Sequence, residues 1–598
     1  MERKLSNELK SYVGQEVHVK GWLHSLRMLG AVNFLHIRDR GGITQVVIQD
    51  KEELQKVKDL QPGSVLSVTG KVQEAAQFET GAEIIEPAIL VDVSVTEAWP
   101  VEVNKPEIRA GLDTILDHRP LTLRNKKISA VFKIQGVILE AYREFLIENG
   151  FTEFMGPAII NASSEGGAEL FTVDYFGHDV KLSQSNQLYK QMMVGVYERV
   201  FGSLKCFRAE KSNTRRHITE ATQLEFEVGF IEKFEDVLNW EERVIRAIYK
   251  KVQEKCADEL KMFKNFAILK DEVKIPRYTL KEALELYFKE TGTDERNEND
   301  MSPEAERFIS NYVKEKEGID FVFVTQFPRT KCAFYAKPNE EDSDVCNYGD
   351  LICNGAEVSS GGQRIDNHDQ LVESLKMKEL DPKDFEDYLS IFKYGMPKHG
   401  GFGLGLERFT MQLLGLENIR EAVLFPSDTK RVASIGLKQE VVVGEENIVA
   451  KIKGILDKKG FVYDYKEHEP TPTSEDSARV RGTMPEEGVK ALILKGAKDD
   501  KNIMVCVPGN KKIEMKKLAL LLGQRYSFED PQVIKDRFGL VIGGVPPFGN
   551  ILGLDTYFDD DVLDQERAAF NCGTQTQSIT MKSKELVEMA DGLVVDLT

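Results

Sequence analysis

Four stretches in the middle of this 598-residue chain carry side chains suited to a charged ligand. The first is Phe207-Arg208-Ala209-Glu210, followed by a loop with Arg215, Arg216 and His217 and then by Glu220. Arginines at a strand end and in the following loop grip a polyphosphate, because the fixed guanidinium fork matches phosphate oxygens. The same residues would also suit a solvated turn. The second is Gly401-Phe402-Gly403-Leu404-Gly405-Leu406-Glu407-Arg408. It is neither a dinucleotide fingerprint nor a P-loop with its GK[ST] ending. Its glycines let backbone approach a flat ligand closely, with Arg408 over an adenine ring or on the last phosphate. A tight strand–helix junction is the plainer alternative. The third pairs Asp350 with Glu357, just before Ser359-Ser360-Gly361-Gly362-Gln363-Arg364. Two carboxylates near a phosphate site suit Mg²⁺ carried partly by ATP, and two exposed loop acids would read the same way. The fourth is Ser164–Phe171 with Ser183–Gln191, polar groups set among apolar ones as in a pocket for a small zwitterion. Lys190 and Arg364 suit a carboxylate side chain, and Gln187 and Glu165 suit the ammonium end.

These residues need a scaffold, and the chain is long enough for several domains. With 41% hydrophobic and 30% charged residues it is ordinary globular material. No run of about 18 uncharged apolar residues suggests a membrane span, and the amino terminus lacks a signal-peptide core. Seven cysteines, odd in number and without a CxxC pair, read as reduced thiols of a cytoplasmic protein. A net charge of −19 argues against bulk electrostatic binding of nucleic acid, DNA above all. A local basic face remains open, since the first forty residues hold 7 basic and 4 acidic side chains. Residues 15–95 alternate like five short strands (16–24, 33–38, 43–49, 64–73, 82–94) with glycine turns between them, which suits a small closed barrel. A proline-bearing connector follows, then helical spacing over 125–149. Strands and helices mix up to about 432, interrupted by a polar, acidic insertion at 289–304. A further unit, 451–598, has strands expected at 490–494, 502–507 and 539–543 and a helix near 511–523.

Taken together, these motifs resemble the three motifs of class II aminoacyl-tRNA synthetases. The helix from 133 and the strand ending Met155-Gly156-Pro157 resemble motif 1, FRAEKSNTRRHITE (207–220) motif 2, and GFGLGLERF (401–409) motif 3. SSEGGAELF, AEVSSGGQR and YGMPKHGGFGLGLER resemble the aspartate/asparagine subgroup, within which the chain resembles the archaeal and eukaryotic type of aspartyl-tRNA synthetase. The resemblance covers about 1–432. It implies an OB-fold anticodon-binding barrel (1–105), a hinge (106–132), an α+β catalytic domain on an antiparallel sheet (133–432) and a homodimer. It implies aspartyl-adenylate formation from L-aspartate and ATP with Mg²⁺, then transfer to tRNA(Asp). Arg208 would meet the α-phosphate and Arg408 the γ-phosphate end, with Glu210, Arg216, His217, Glu357 and Gly405 along the nucleotide. Asp350, Glu357 and Ser360 would hold Mg²⁺. Lys190 and Arg364 would read the side-chain carboxylate, with Glu165 and Gln187 beside them. In the barrel, His24, Phe34 and Gln45 fall where the family meets the anticodon, and His24 resembles members that also charge tRNA(Asn). An asparaginyl relative and a non-catalytic tRNA-binding paralogue are the alternatives; Lys190-Gln191 and the retained Arg208, Glu357 and Arg408 speak against them.

After a linker (433–450), residues 451–598 resemble the Cys-tRNA(Pro) deacylase superfamily, the YbaK-like domains of mixed α/β fold. Thr473-Ser474, Gly488–Leu492, the turn 508–510 and Gly543–Gly549 carry the likeness. It implies hydrolysis of a mischarged tRNA, with Lys490 and the loop of Gly543, Gly544 and Pro547 positioning the ester. A degenerate domain that only binds RNA is the alternative. No histidine stands near Cys572 in sequence, so a thiol nucleophile is not expected.

Overall fold

The computed structural model describes the chain apart from residues 162–169, 210–213, 430, 433–444, 471–473 and 498–500. Glu165, Glu210 and Thr473 therefore lie outside the described residues. The chain forms two compact units, Met1–Ala433 and Ser434–Thr598.

The first unit opens with a closed five-stranded barrel of β1 (Glu16–Met28), β2 (Asn33–Asp39), β3 (Gly42–Ile48), β4 (Val65–Glu74) and β5 (Ala82–Val93), in the order β1-β2-β3-β5-β4. Alternation does the sorting. Val17, Val19, Leu23, Leu35, Ile37, Val46 and Val68 point inward as one core, and polar side chains face out. The register of β1 against β2 slips between Leu23 and Ser25, so His24 is the extra residue of a β-bulge.

The larger part of this unit is built on an eight-stranded sheet of β6 (Thr152–Glu153), β7 (Arg199–Phe207), β8 (Glu220–Gly229), β9 (Arg277–Thr279), β10 (Phe321–Thr325), β11 (Tyr348–Cys353), β12 (Ala356–Gln363) and β13 (His399–Gly405). Its order is β9-β10-β11-β12-β13-β8-β7-β6, and all pairs but the two outermost are antiparallel. One face is apolar. Leu224, Phe226 and Val228 of β8 and Phe402 and Leu404 of β13 share a core with the helices Lys126–Glu148 and Phe234–Lys255. The other face carries the polar residues of the same strands, as period-2 alternation requires.

The second unit holds a five-stranded mixed sheet and a three-stranded antiparallel sheet. Two of its strands, β14 (Val489–Gly496) and β15 (Asn502–Pro508), and a helix at Met515–Leu522 lie close to the sequence-based expectations. The expected strand at 539–543 is instead a turn. Gly539 and Gly543 both take left-handed φ, +67° and +83°, which breaks an extended run.

Candidate active site

β8 and β13 explain the glycine run. Their register sets Gln223 opposite Gly405, Glu225 opposite Gly403 and Glu227 opposite Gly401. Each polar side chain of β8 thus stands beside a position with no side chain, and a floor for a ligand opens along the sheet. The spacing is enforced at Gly401, where a Cβ would sit 2.0 Å from the Phe226 carbonyl and 2.6 Å from Glu227 Oε2.

At the open end lies a cavity of about 320 Å³ lined by Arg208, Arg216, His217, Gln223, Glu357, Ser360, Gly403, Gly405 and Arg408. The residues expected along a nucleotide, Glu210 aside, are thereby brought together. Arg208 is exposed, and its guanidinium has no partner among the described residues. Arg408 Nη1 stands 3.5 Å from Glu357 Oε2, and Ser360 Oγ donates to Glu357 Oε1 at 2.9 Å. Arg216 donates to Glu306 Oε2 at 2.8 Å, which fixes its guanidinium on the cavity wall. His217 Nδ1 is 2.6 Å from Thr214 Oγ1.

Asp350 sits one strand away, opposite Ser360, and is buried. Burial, reinforced by the charge of Glu357, pushes its carboxyl well above the ordinary range. Its Oδ1 has no hydrogen-bond partner. Two adjacent carboxylates and a hydroxyl, one oxygen unpartnered, form the all-oxygen donor set that a hard divalent cation takes. The residues present fit Mg²⁺.

At the closed end of the same floor two buried cations meet. Lys190, on the helix Gln187–Tyr197, is 1% exposed and Arg364 is 2% exposed. Lys190 Nζ lies 3.4 Å from Glu227, 3.5 Å from Glu225 and 3.3 Å from the Phe402 carbonyl. All three contacts exceed the ~2.7–2.9 Å of a close charge-assisted bond. Arg364 donates from Nε to Glu227 at 2.9 Å and from Nη2 to the Gly401 carbonyl at 2.7 Å and to Gln187 Oε1 at 3.3 Å. Its Nη1 has no partner among the described residues, and neither has the buried Gln187 Nε2. The two unpaired donors therefore belong to side chains that are bonded to each other. Burial opposes a charge on Glu227, but Arg364, Lys190 and His399 outweigh it and hold its carboxyl below the usual range.

A second layer fixes this end. Tyr388 donates to Gln191 Oε1 at 3.0 Å, Gln191 Nε2 lies 2.9 Å from His399 Nε2, and His399 Nδ1 lies 2.9 Å from the Pro397 carbonyl. Burial lowers the His399 pKa, and this chain of bonds suits the neutral Nδ1–H tautomer. Glu225, Glu227, Glu306, Tyr388 and His399 were not singled out in the sequence, whereas Gln191 was named beside Lys190. The signal for the first two was present in TQLEFEVG, where acids alternate with core residues at the strand period.

In the barrel, Gln45 donates to Glu83 at 2.7 Å and lies 3.1 Å from His36 Nε2, while His36 stacks on Phe78 at 5.6 Å. His24 is half-buried, with its pKa lowered by burial and by the nearby His36 and Arg38. Phe34 shares the outer face of β2 with His36 and Arg38. In the second unit, Lys490 and Gly543 line a cavity of about 460 Å³, whereas Gly544 and Pro547 are not on its wall. The Gly544 N–H is bonded to the Val541 carbonyl. Burial pushes the Cys572 thiol up to about 12, which leaves no thiolate nucleophile at neutral pH.

The family profile of class II tRNA synthetases (D, K and N) matches residues 111–429. The chain belongs to that family. An OB-fold nucleic acid binding domain matches residues 17–92, and an aminoacyl-tRNA editing domain matches 468–589. The aspartate–tRNA(Asp/Asn) ligase of Thermus thermophilus is 42% identical over 431 residues, which are 72% of this chain and 99% of that protein. The aspartate–tRNA(Asp) ligase of Pyrococcus horikoshii is 40% identical over 433 residues, 71% of this chain and 98% of that one. The crystal structure of asparaginyl-tRNA synthetase from Pyrococcus horikoshii with asparaginyl-adenylate superposes with a TM-score of 0.68 at 32% identity. It covers 73% of this chain and all of that one. The protein is thus an aminoacyl-tRNA synthetase of the aspartate/asparagine group, a ligase, with an editing-type domain appended. A synthetase of this class uses ATP with Mg²⁺. Among the described residues, no helix is long and apolar enough to cross a membrane.

Proposed function

We propose that the synthetic site activates L-aspartate rather than asparagine. The observation that carries this is the pair of unpaired donors, Arg364 Nη1 and Gln187 Nε2, beside the loosely held Lys190 ammonium. A carboxylate accepts from all three, whereas a neutral amide would turn its own NH₂ toward at least one of them. Gln187 thereby serves the carboxylate end, because its Oε1 already accepts from Arg364. Glu165 stays as the residue for the ammonium.

The nucleotide end follows from the same floor. ATP enters between Arg208 and Arg408, with Arg208 on the α-phosphate, where negative charge grows as the aspartate α-carboxylate attacks. Arg408 takes the γ-phosphate end, and Arg216 and His217 close the wall. Asp350, Glu357 and Ser360 would hold Mg²⁺, which supplies positive charge to the phosphate oxygens. The attacking carboxylate is already an anion, so no protein base is required. Positioning and cationic stabilisation carry the rate.

Residues 1–105 serve the anticodon through His24, Phe34 and Gln45, with Phe34 as a stacking platform. The exposed Met155, Val196, Tyr197 and Phe230 near the β6 edge of the sheet suit a homodimer. Residues 451–598 hydrolyse an aminoacyl ester, with Lys490 and the Gly543 loop at the reacting bond. Because the Gly544 N–H is engaged, the amides of Gly543 and Val545 are the loop donors left for the ester carbonyl.

Aminoacylation of purified tRNA(Asp) and tRNA(Asn) transcripts, each with aspartate and with asparagine, tests this reading. Aspartate should charge both tRNAs at comparable rates, and asparagine neither. Charging with asparagine would end the carboxylate assignment, and a strong preference for tRNA(Asp) would end relaxed tRNA choice.

A further inference from the structure

A cavity of the second unit contains a guanidinium that no carboxylate bonds among the described residues. Arg481 ends the helix Ser474–Arg481 and lines this cavity. Its guanidinium bonds only neutral acceptors, Asn571 Oδ1 at 2.5 Å and the Ala569 carbonyl at 3.3 Å. Its Nε is buried and unpartnered, and no carboxylate pairs with it among the described residues. The burial is deep enough to lower its pKa to about 10. The wall around it is largely apolar, with Ala478, Val489, Ile493, Ile534, Ile542 and Val545. Glu529 also lines the cavity, but its two oxygens accept from Asn502 Nδ2 and the Asp530 amide. A guanidinium held in an apolar wall with unused donors is a costly arrangement for folding alone. It is what a bound anion would repay.

Two anions could reach an editing cavity, a phosphate of the tRNA and a carboxylate of the acyl group. A phosphodiester tracks the solvated surface and would not enter an apolar wall, so the geometry favours the acyl group. Asn571 joins the two ends of the cavity, since its Oδ1 accepts from Arg481 and its Nδ2 donates to the Gly543 carbonyl at 2.5 Å. The side-chain end and the loop assigned to the ester are thereby held at a fixed separation.

We infer that Arg481 makes this cavity specific for an aminoacyl ester whose side chain ends in a carboxylate. The inference rests on the reading of 451–598 as a hydrolase. In the step itself water adds to the ester carbonyl carbon and the bond from that carbon to the ribose oxygen breaks. The ribose oxygen takes a proton from the water, and the amino acid and tRNA leave. No other reactant is needed.

The test uses the full chain and one tRNA(Asn) transcript carrying aspartate, asparagine or alanine. The aspartyl ester should be hydrolysed at least about tenfold faster than the other two. Arg481→Met should erase that preference, and Lys490→Ala should slow all three. A preference that survives in Arg481→Met, or equal hydrolysis of the three by the unaltered protein, overturns the assignment. Loss of uncharged tRNA binding in Arg481→Met equal to the loss of aspartyl-tRNA binding makes the anion a phosphate and also overturns it. If no ester is hydrolysed, the hydrolase reading fails on its own account, and binding then decides the acyl assignment. With the synthetic site filled by a non-hydrolysable aspartyl-adenylate analogue, Arg481→Met should weaken 3′-aspartylamino-adenosine about tenfold and leave the alanyl analogue unchanged. Equal affinities would overturn the carboxylate role.

Discussion

Lys190→Met separates a residue that reads the substrate from one that merely fills the core. Methionine keeps most of the stem and removes the ammonium. In the folded protein that ammonium lies between Glu225 and Glu227, each nearly excluded from water. Glu227 keeps Arg364, but among the described residues Glu225 keeps Ser185 Oγ at 3.2 Å and the Asn186 amide at 3.4 Å and no cation. An uncompensated buried carboxylate can cost about 3–5 kcal/mol. Adding Glu225→Gln should return most of that stability, because the amide needs no counter-charge. Substrate recognition behaves differently. Loss of one charge-assisted contact to the aspartate carboxylate is worth about 1.5–3 kcal/mol, so kcat/KM for aspartate should fall roughly 10- to 150-fold. The double variant should fold like the unaltered protein and stay defective. The assay is amino-acid-dependent ATP–pyrophosphate exchange, with thermal denaturation run beside it. ATP affinity should hold, since Lys190 is not on the wall of the nucleotide cavity. Recovery of aspartate activation in the double variant, in step with its stability, would refute the reading role and leave Lys190 a structural ion-pair partner.

Gly401→Ala should destabilise the fold by roughly 1–3 kcal/mol and abolish exchange, because its Cβ would press on the Phe226 carbonyl and on Glu227. Gly405→Ala should leave stability unchanged, since its Cβ meets nothing closer than 3.7 Å, and should raise the KM for ATP; denaturation melts together with exchange kinetics distinguish the two glycines. Burial pushes the Glu241 carboxyl up to about 8, against 4.5 for an ordinary glutamate. The folded state therefore holds a proton that the unfolded chain has lost between those values, and stability falls as pH rises through that window. Glu241→Gln should flatten the fall, by on the order of a few degrees in Tm near pH 8.5, and a Tm profile parallel to that of the unaltered protein would contradict it.

Much of this was legible in the residues. Five alternating runs between glycines gave the barrel, because period 2 and left-handed turns leave few other closures. Arg208, Arg408 and Glu357 could be joined because motif types survive the distance between them in sequence. The polar floor was harder to see. Gln223, Glu225 and Glu227 gain meaning only when the register sets them against Gly405, Gly403 and Gly401, and register is a non-local property. The same holds for Gln187, whose proposed role turns on which end of its amide Arg364 engages. Arg481 carries no signal in the sequence; it stands out only in the fold, where Glu529, an acid on the same cavity wall, is bonded to Asn502 and the Asp530 amide instead. The turn at 539–543 was misread as a strand because its apolar residues mimic one, and only the φ angles of the two glycines revealed it.

The most direct test of the shared floor is ATP–pyrophosphate exchange by the unaltered chain with Mg²⁺ present and no tRNA added. With Arg208 and Arg408 at one end and Lys190 and Arg364 at the other, aspartate should drive exchange and asparagine should not, with a ratio of at least 10² in kcat/KM. Exchange driven equally well by asparagine, or a folded protein that exchanges with neither, would contradict the account.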